Sequence, residues 1–516
     1  VAARFQPGNV EAPGAQWPTA TLAVRVRGFA DLHNHIFAYL GFGGMAFHGR
    51  AFGPIEQALP WCNHAHGPGG TGDILGNFVC AGVYGTGVSS GLGHSVGGHP
   101  QFDGWPRWDS ITHQSVCEDW LKRAVDGGLR LMVALAVNNE KFCEMANKAP
   151  GRTCNDIKAV DKQLDEAWAM QAYIDAKAGG TGKGWFRIVT SPAEARRVMD
   201  QGKLAVVLGV EVDNPLGCGY VRKPKCFAKV GVPPTECVYP NPAEIPLACN
   251  PATVTQRLDA WYRKGVRHLF PVHFADNAFA GTAKQNGLQW LVDRQAGDDW
   301  WGVAWVPAVP PSILPVEEYA IQVASCEASS GHASYGGKCN VRGLSGLGQH
   351  LVVQMMRRGM IIDIDHMGSR AKAAVFQLAK QYGYPGLVSG HSGFIATSLG
   401  DHRHEGQLSD AELKQLRAIG GLVGLILHQG KSVHDAPTWT GGNVRIPHRC
   451  GNSIETFAQA YLYATQSGDP VAFGTDYNGM IPPFGPRLGP ERCRGGENAS
   501  QPVNVRSTQP MPYPFV

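Results

Sequence analysis

Gly28-Phe29-Ala30-Asp31-Leu32-His33-Asn34-His35 is the stretch on which the reading of the fold turns. A short apolar run ends in two histidines one residue apart, and side chains along a strand alternate with period two. His33 and His35 therefore face the same side and can hold one divalent metal, for which zinc suits neutral imidazoles. With 19 histidines in 516 residues such a pair also arises by chance, so its meaning depends on ligands at other strand ends.

Seven further apolar runs follow, separated by helical stretches. They are Leu129–Leu135, Leu204–Val210 ending at Glu211, Val266–Val272 ending at His273, and Met360–Ile364 ending in Asp365-His366. Then come Gly386–Gly390 ending at His391, Gly421–Leu427 ending at His428, and Val471–Thr475 ending at Asp476. Helices are predicted over Ser191–Gln201, Val254–Lys264, Gly348–Arg358, Ser369–Tyr382 and Ser409–Ile419. The first of these opens on Ser-Pro-Ala-Glu, a strong helix start. Eight strands alternating with helices predict an α/β fold, a (β/α)8 TIM-type barrel, whose ligands sit at the C-terminal ends of the strands. His, Glu and Asp recur at those ends.

The chain reads as one barrel domain over residues 1–516, with insertions at about 41–110, 213–250 and 275–342. Long loops on the catalytic face shape substrate access. Residues 480–516 are irregular and rich in Pro and Gly, and no helical pattern follows Asp476. The expectation is a chain truncated before the last barrel helix, with a second copy or another chain supplying the missing part.

Thirteen cysteines without a Cys-x-x-Cys pair exclude zinc ribbons and thioredoxin-like motifs. Several fall in loops: Cys218, Cys226, Cys237 and Cys249, then Cys326 and Cys339, then Cys450 and Cys493. Disulfides stapling long insertions in an oxidising compartment are expected, which places the protein outside the cytosol, secreted, periplasmic or extracellular. The odd total leaves one thiol over. Val1 is not an initiator and Asn498-Ala499-Ser500 is a sequon, both in keeping with export. A net charge of +4 without a basic block gives no footprint for nucleic acid. No apolar run approaches a membrane span.

From about Leu204 to Met480 the chain resembles the membrane (renal) dipeptidases, the peptidase M19 branch of the amidohydrolase superfamily. The resemblance rests on Gly209-Val210-Glu211, Gly265-Val266-Arg267-His268-Leu269 through His273, and Gly343-Leu344-Ser345-Gly346-Leu347-Gly348. It continues in Ile362-Asp363-Ile364-Asp365-His366, Val388-Ser389-Gly390-His391-Ser392 and Phe473-Gly474-Thr475-Asp476-Tyr477-Asn478-Gly479. It implies two divalent metal ions, zinc by preference, with His33 and Asp476 on one, Glu211 bridging, and His366 and His391 on the other. It further implies that His273 faces the substrate carbonyl and that Arg403 pairs with a substrate carboxylate, for which a planar guanidinium is suited.

These dipeptidases have His-x-Asp at the first strand, where this chain has His33-Asn34-His35. The wider superfamily uses His-x-His, so His35 is kept as a metal ligand, although the site becomes one charge more positive. The implied activity is hydrolysis of an amide bond in a small substrate or short peptide. A hydroxide bridging the metals attacks, and Asp476 relays a proton to the leaving amine. Ester, lactone or cyclic amide hydrolysis is the near alternative; a non-catalytic metal-binding or assembly subunit, oligomeric through its insertions, is the distant one. His64-Ala65-His66 repeats the pair's spacing but lies in a glycine-rich loop without a nearby carboxylate, and reads as loop structure or pocket lining. His428 reads as pocket lining, Asp365 as a support behind the ligands, and Trp300, Trp301 and Trp305 as core or interface.

Overall fold

The computed structural model describes residues 28–78, 93–94, 96–101, 111–140, 143, 151–219, 225–227, 236–238, 249–285, 323–398, 403–428, 438–441, 444–447, 454–466 and 470–484. All eight predicted strands form. They are β1 (Phe29–Asn34), β2 (Leu129–Asn138), β3 (Leu204–Val212), β4 (Val266–Leu269), β5 (Ile361–Asp363), β6 (Leu387–Ser392), β7 (Leu422–Ile426) and β8 (Val471–Gly474). Every pairing between them is parallel. The neighbour order is β2-β1-β8-β7-β6-β5-β4-β3, and β3 pairs back onto β2 to close a (β/α)8 barrel. The closing ladder runs from Leu131 opposite Ala205 to Asn138 opposite Val212. A short strand, Phe186–Ile188, adds to the start of β3.

β3 is buried at every position, as a parallel strand covered on both faces must be, and so it reads as an unbroken apolar run. The outer helices are α1 (Glu118–Asp126), α2 (Asp156–Lys177), α3 (Pro192–Asp200), α4 (Pro251–Arg263), α5 (Gly346–Arg357), α6 (Ser369–Tyr382), α7 (Asp410–Ala418) and α8 (Ile454–Thr465). Five of these helices, α2, α3, α4, α5 and α7, start on a side-chain cap. Asn155, Ser191, Asn250 and Ser345 each accept a backbone N–H with the side chain, and Ser409 with Glu412 forms a reciprocal capping box.

Inside the barrel, three strands close in on one carbonyl. A Cβ at Gly424 would lie 2.1 Å from the Gly390 oxygen and one at Gly474 would lie 2.0 Å from it. Only glycine permits that approach, and it brings β6, β7 and β8 together beneath the strand ends.

Among the described residues, three disulfides join Cys143 to Cys154, Cys218 to Cys249 and Cys326 to Cys339. The last two staple the second and third insertions, as expected. Cys62 and Cys117 are both free thiols and both buried, where the odd total had suggested one. No described helix is long and apolar enough to cross a membrane. The tryptophans of the third insertion, the sequon, Cys450, Cys493 and the region of the expected missing helix lie outside the described residues.

Candidate metal centre

The strand ends deliver the predicted donors to one buried cluster. His33 and His35 do face the same side, with their Nε2 atoms 2.9 Å apart. Glu211, near the end of β3, places Oε2 3.2 Å from His33 Nε2 and 3.1 Å from His35 Nε2. Its other oxygen, Oε1, lies 3.2 Å from His366 Nε2, 3.9 Å from His391 Nε2 and 3.8 Å from His273 Nε2. The His366 and His391 Nε2 atoms are 3.0 Å apart. Asp476 Oδ1 completes the first group at 3.5 Å from His33 and 3.2 Å from His35. His33, His35, Glu211, His366, His391 and Asp476 thus form overlapping donor groups that could hold metal.

Two of these residues are left-handed, His366 at φ 62° and Asp476 at φ 51°. Such conformations are uncommon for residues with a Cβ and gather at functional sites. Asp476 is further fixed by Gly479, where a Cβ would lie 1.8 Å from Asp476 Oδ1.

A ring of supports holds the donors from behind. Asp365 Oδ2 sits 3.0 Å from His391 Nδ1 and accepts the His391 backbone N–H at 2.7 Å, while Ser392 Oγ donates to Oδ1 at 2.7 Å. Asp365 therefore has the supporting place read from the sequence. Asp213 Oδ1 stands 3.4 Å from His273 Nδ1, and the Leu135 carbonyl oxygen 3.3 Å from His35 Nδ1. Asp31 ties β1 to β8, accepting from the Thr475 and His33 N–H groups and from the Thr475 hydroxyl. Asp31 and Asp213 had no place in the sequence reading. The signal was present, because each lies two residues from a donor along its strand, on the same face.

The cluster's electrostatics follow from burial and mutual charge. Burial pushes the Glu211 carboxyl up, but the charges of His33 and His273 and hydrogen bonding with His33 and His35 outweigh it, leaving Glu211 well below its usual range. Burial holds His33 and His366 down, each to about 4. Burial also opposes the charging of His391, yet the hydrogen bond and charge of Asp365 raise it to about 10. The donor set fits a divalent metal. Glu211 Oε1 and His33 Nδ1 are buried without a hydrogen bond, and an acceptor oxygen amid three imidazole nitrogens lacks only a cation.

Arg403 Nε donates to the Ser398 carbonyl at 2.6 Å, and its guanidinium lies 5.9 Å from the Tyr335 ring centre. It stands two residues before Glu405, whose carboxylate accepts the Lys284 N–H at 2.7 Å. Next to Lys284, Gln285 Nε2 is 3.4 Å from His366 Nδ1. His428 Nδ1 is 3.1 Å from the Pro482 carbonyl oxygen.

A parallel barrel whose strand ends converge on buried imidazoles and carboxylates defines a metal-dependent hydrolase. Residues 318–485 match the membrane dipeptidase family, peptidase family M19, and the chain is membrane dipeptidase-like. The matched segment carries His366, His391, Arg403 and Asp476; His33, His35, Glu211 and His273 precede it. Similar solved structures include the following three. Dipeptidase AC, a metallopeptidase of family M19, is 16% identical, with a TM-score of 0.39 over 70% of this chain and 76% of its own. A metallopeptidase from Rhodobacter sphaeroides, bound to a phosphinate mimic of L-Ala-D-Ala, is 16% identical, with a TM-score of 0.40 over 70% and 78%. An amidohydrolase from Pseudomonas aeruginosa is 15% identical, with a TM-score of 0.37 over 68% of each chain. No curated protein matches.

Proposed function

We propose that the chain is an exported two-metal amidohydrolase that cleaves the amide bond of a small substrate, dipeptides foremost. The carrying observation is Glu211, whose Oε2 meets His33 and His35 while its Oε1 meets His366 and His391. One carboxylate facing two imidazole pairs suits a bridge. His33, His35 and Asp476 would hold one ion, His366 and His391 the other. Two zinc ions there would supply an acidified water and polarise the scissile carbonyl.

The remaining work falls to side chains. Asp476 takes the proton of the attacking water on a carboxylate oxygen and passes it to the leaving amine. His273, with Asp213 Oδ1 3.4 Å from its Nδ1, would present Nε2 to the carbonyl oxygen as charge develops there. Arg403 would pair with a substrate carboxylate. Three disulfides support an oxidising compartment.

His35 favours a second reading. An imidazole where the family has a carboxylate makes the site more positive, which suits an ester, lactone or cyclic amide. The test counts metal per chain after exhaustive dialysis and assays dipeptides beside esters, lactones and cyclic amides. Retained metal with dipeptide turnover is expected. Turnover of the other substrates alone moves the assignment to the second reading, and fewer than one bound metal per chain ends both. Asp365→Asn is expected to weaken metal retention about 10–100-fold by releasing His391, read by competition with a chelator.

A further inference from the structure

The first insertion and the segment that follows it, between β1 and β2, gather another set of donors. Cys62 begins the helical turn Asn63–His66, so Cys62 and His66, four residues apart, share a face while His64 does not. His64 is exposed and His66 is buried. The meaningful pair is therefore Cys62 with His66, and the His-x-His spacing read from the sequence is incidental.

His94 and His113 come from separate segments to meet that face. Cys62 Sγ is 3.7 Å from His94 Nε2, and His66 Nδ1 is 3.3 Å from the same nitrogen. The His113 ring centre is 4.8 Å from that of His66 and 4.6 Å from that of His94. One donor atom from each of the four residues lies within 4.8 Å of all the others. Donors bound tetrahedrally to zinc, with nitrogen at about 2.05 Å and sulfur at about 2.3 Å, stand roughly 3.3 Å (N to N) and 3.6 Å (S to N) apart. The two spacings at His94 agree, and the remaining donors lie within 4.8 Å.

We propose that Cys62, His66, His94 and His113 form a second, structural metal site that takes one zinc ion and fastens the first insertion to the barrel mouth. A closed set of four protein donors is the signature of structural zinc, whereas a catalytic ion keeps a position open. Asp73 Oδ2 lies 3.7 Å from His94 Nδ1, on the side of that ring away from the donor Nε2, and 4.0 Å from His66 Nδ1, its carboxylate accepting from the Gly76 N–H at 2.8 Å and from the Thr112 hydroxyl. A carboxylate behind a ligand imidazole is the usual support at such sites. The loop thus does contain the carboxylate that its sequence reading lacked.

Burial favours neutral imidazoles at His66, held at about 4, and at His113, the form that binds metal. Burial also pushes the Cys62 thiol up, so binding transfers its proton to solvent as the thiolate forms. The link to the mouth is short. Gln114 Nε2 donates to the Ile36 carbonyl at 2.9 Å, and the Ser115 N–H donates to Asn478 Oδ1 at 2.8 Å.

The test uses the full chain with disulfides intact, stripped of metal and titrated with Co2+. A thiolate-to-cobalt charge-transfer band is expected in the wild type. Cys62→Ser should lose that band and one equivalent of metal. His94→Gln, which keeps the thiol, should release the same equivalent. Glu211→Gln should retain the band, which separates this site from the barrel's. Absence of the band in the wild type overturns the proposal, and so does its persistence in Cys62→Ser.

Discussion

Replacing Glu211 with glutamine is expected to release metal from the barrel and to slow hydrolysis by on the order of a thousandfold or more. The residue is buried and presents one oxygen to each pair of imidazoles. Glutamine offers one oxygen and an NH2 group, so one pair would face hydrogens in place of a lone pair. Metal polarisation of a carbonyl is worth several kcal/mol, and each ~1.36 kcal/mol is tenfold in rate. Metal per chain and kcat/KM, measured together, read the outcome. Asp476→Asn is the useful contrast. Its Oδ1 lies against His33 and His35, although it also groups with His391, so the substitution should leave most of the His366–His391 ion bound while removing the proton relay. Full metal retention in Glu211→Gln would rule out the bridge.

Lys372→Met is expected to destabilise the fold by about 3–5 kcal/mol. Lys372, on α6, is fully buried, with Nζ 3.3 Å from Glu412 Oε1 of α7 and donating to the Glu405 carbonyl at 3.2 Å. Glu412 Oε2 in turn lies 3.0 Å from His332 Nε2 in the third insertion. Removing the ammonium leaves a carboxylate buried without its counter-charge. Lys372→Met with Glu412→Gln should recover much of the loss, because glutamine still serves the capping box on Ser409. Urea unfolding with disulfides intact compares the variants. Burial pushes the Glu412 carboxyl up, but the charge of Lys372 and the hydrogen bond of His332 outweigh it and lower it. A carboxyl depressed in the folded state adds stability above its unfolded pKa of about 4.3, and that stability fades as pH falls through the folded value. The wild type should therefore lose stability in that acid range, and the double variant should lose less.

The barrel was legible because its parallel strands are compact apolar runs, most of them finished by a donor, as at Leu204–Glu211 and Val471–Asp476. Helices α1, α2 and α8 were not predicted. The inner face of α2 includes Asp156, Gln163, Ala159 and Ala167, and that of α8 includes Thr456, Gln459 and Ala460. Small and polar residues on a buried face blur a stripe that depends on large apolar ones. Those polar groups find partners only in the fold, as when the Gln163 amide bonds Val137 on both sides of the peptide. The candidate centre was legible at its donors and less so behind them. Asp31 and Asp213 carry a local signal in their spacing from a donor, but the residues they meet, Thr475 and His273, are brought near only by the fold. In the first insertion a helical turn decides which residues face together, where the glycine-rich composition reads as loop structure or pocket lining.

The glycines around the Gly390 carbonyl leave part of the floor beneath the imidazoles built from main chain, and the buried ring of Phe270 packs against His33, His366 and His391 beside it. No side chain can be added at Gly424 or Gly474, so variation at those two positions cannot move the ligands gradually. Change is confined to the rim, where the insertions attach, and a lineage could alter what enters the pocket many times over without disturbing where its chemistry is anchored.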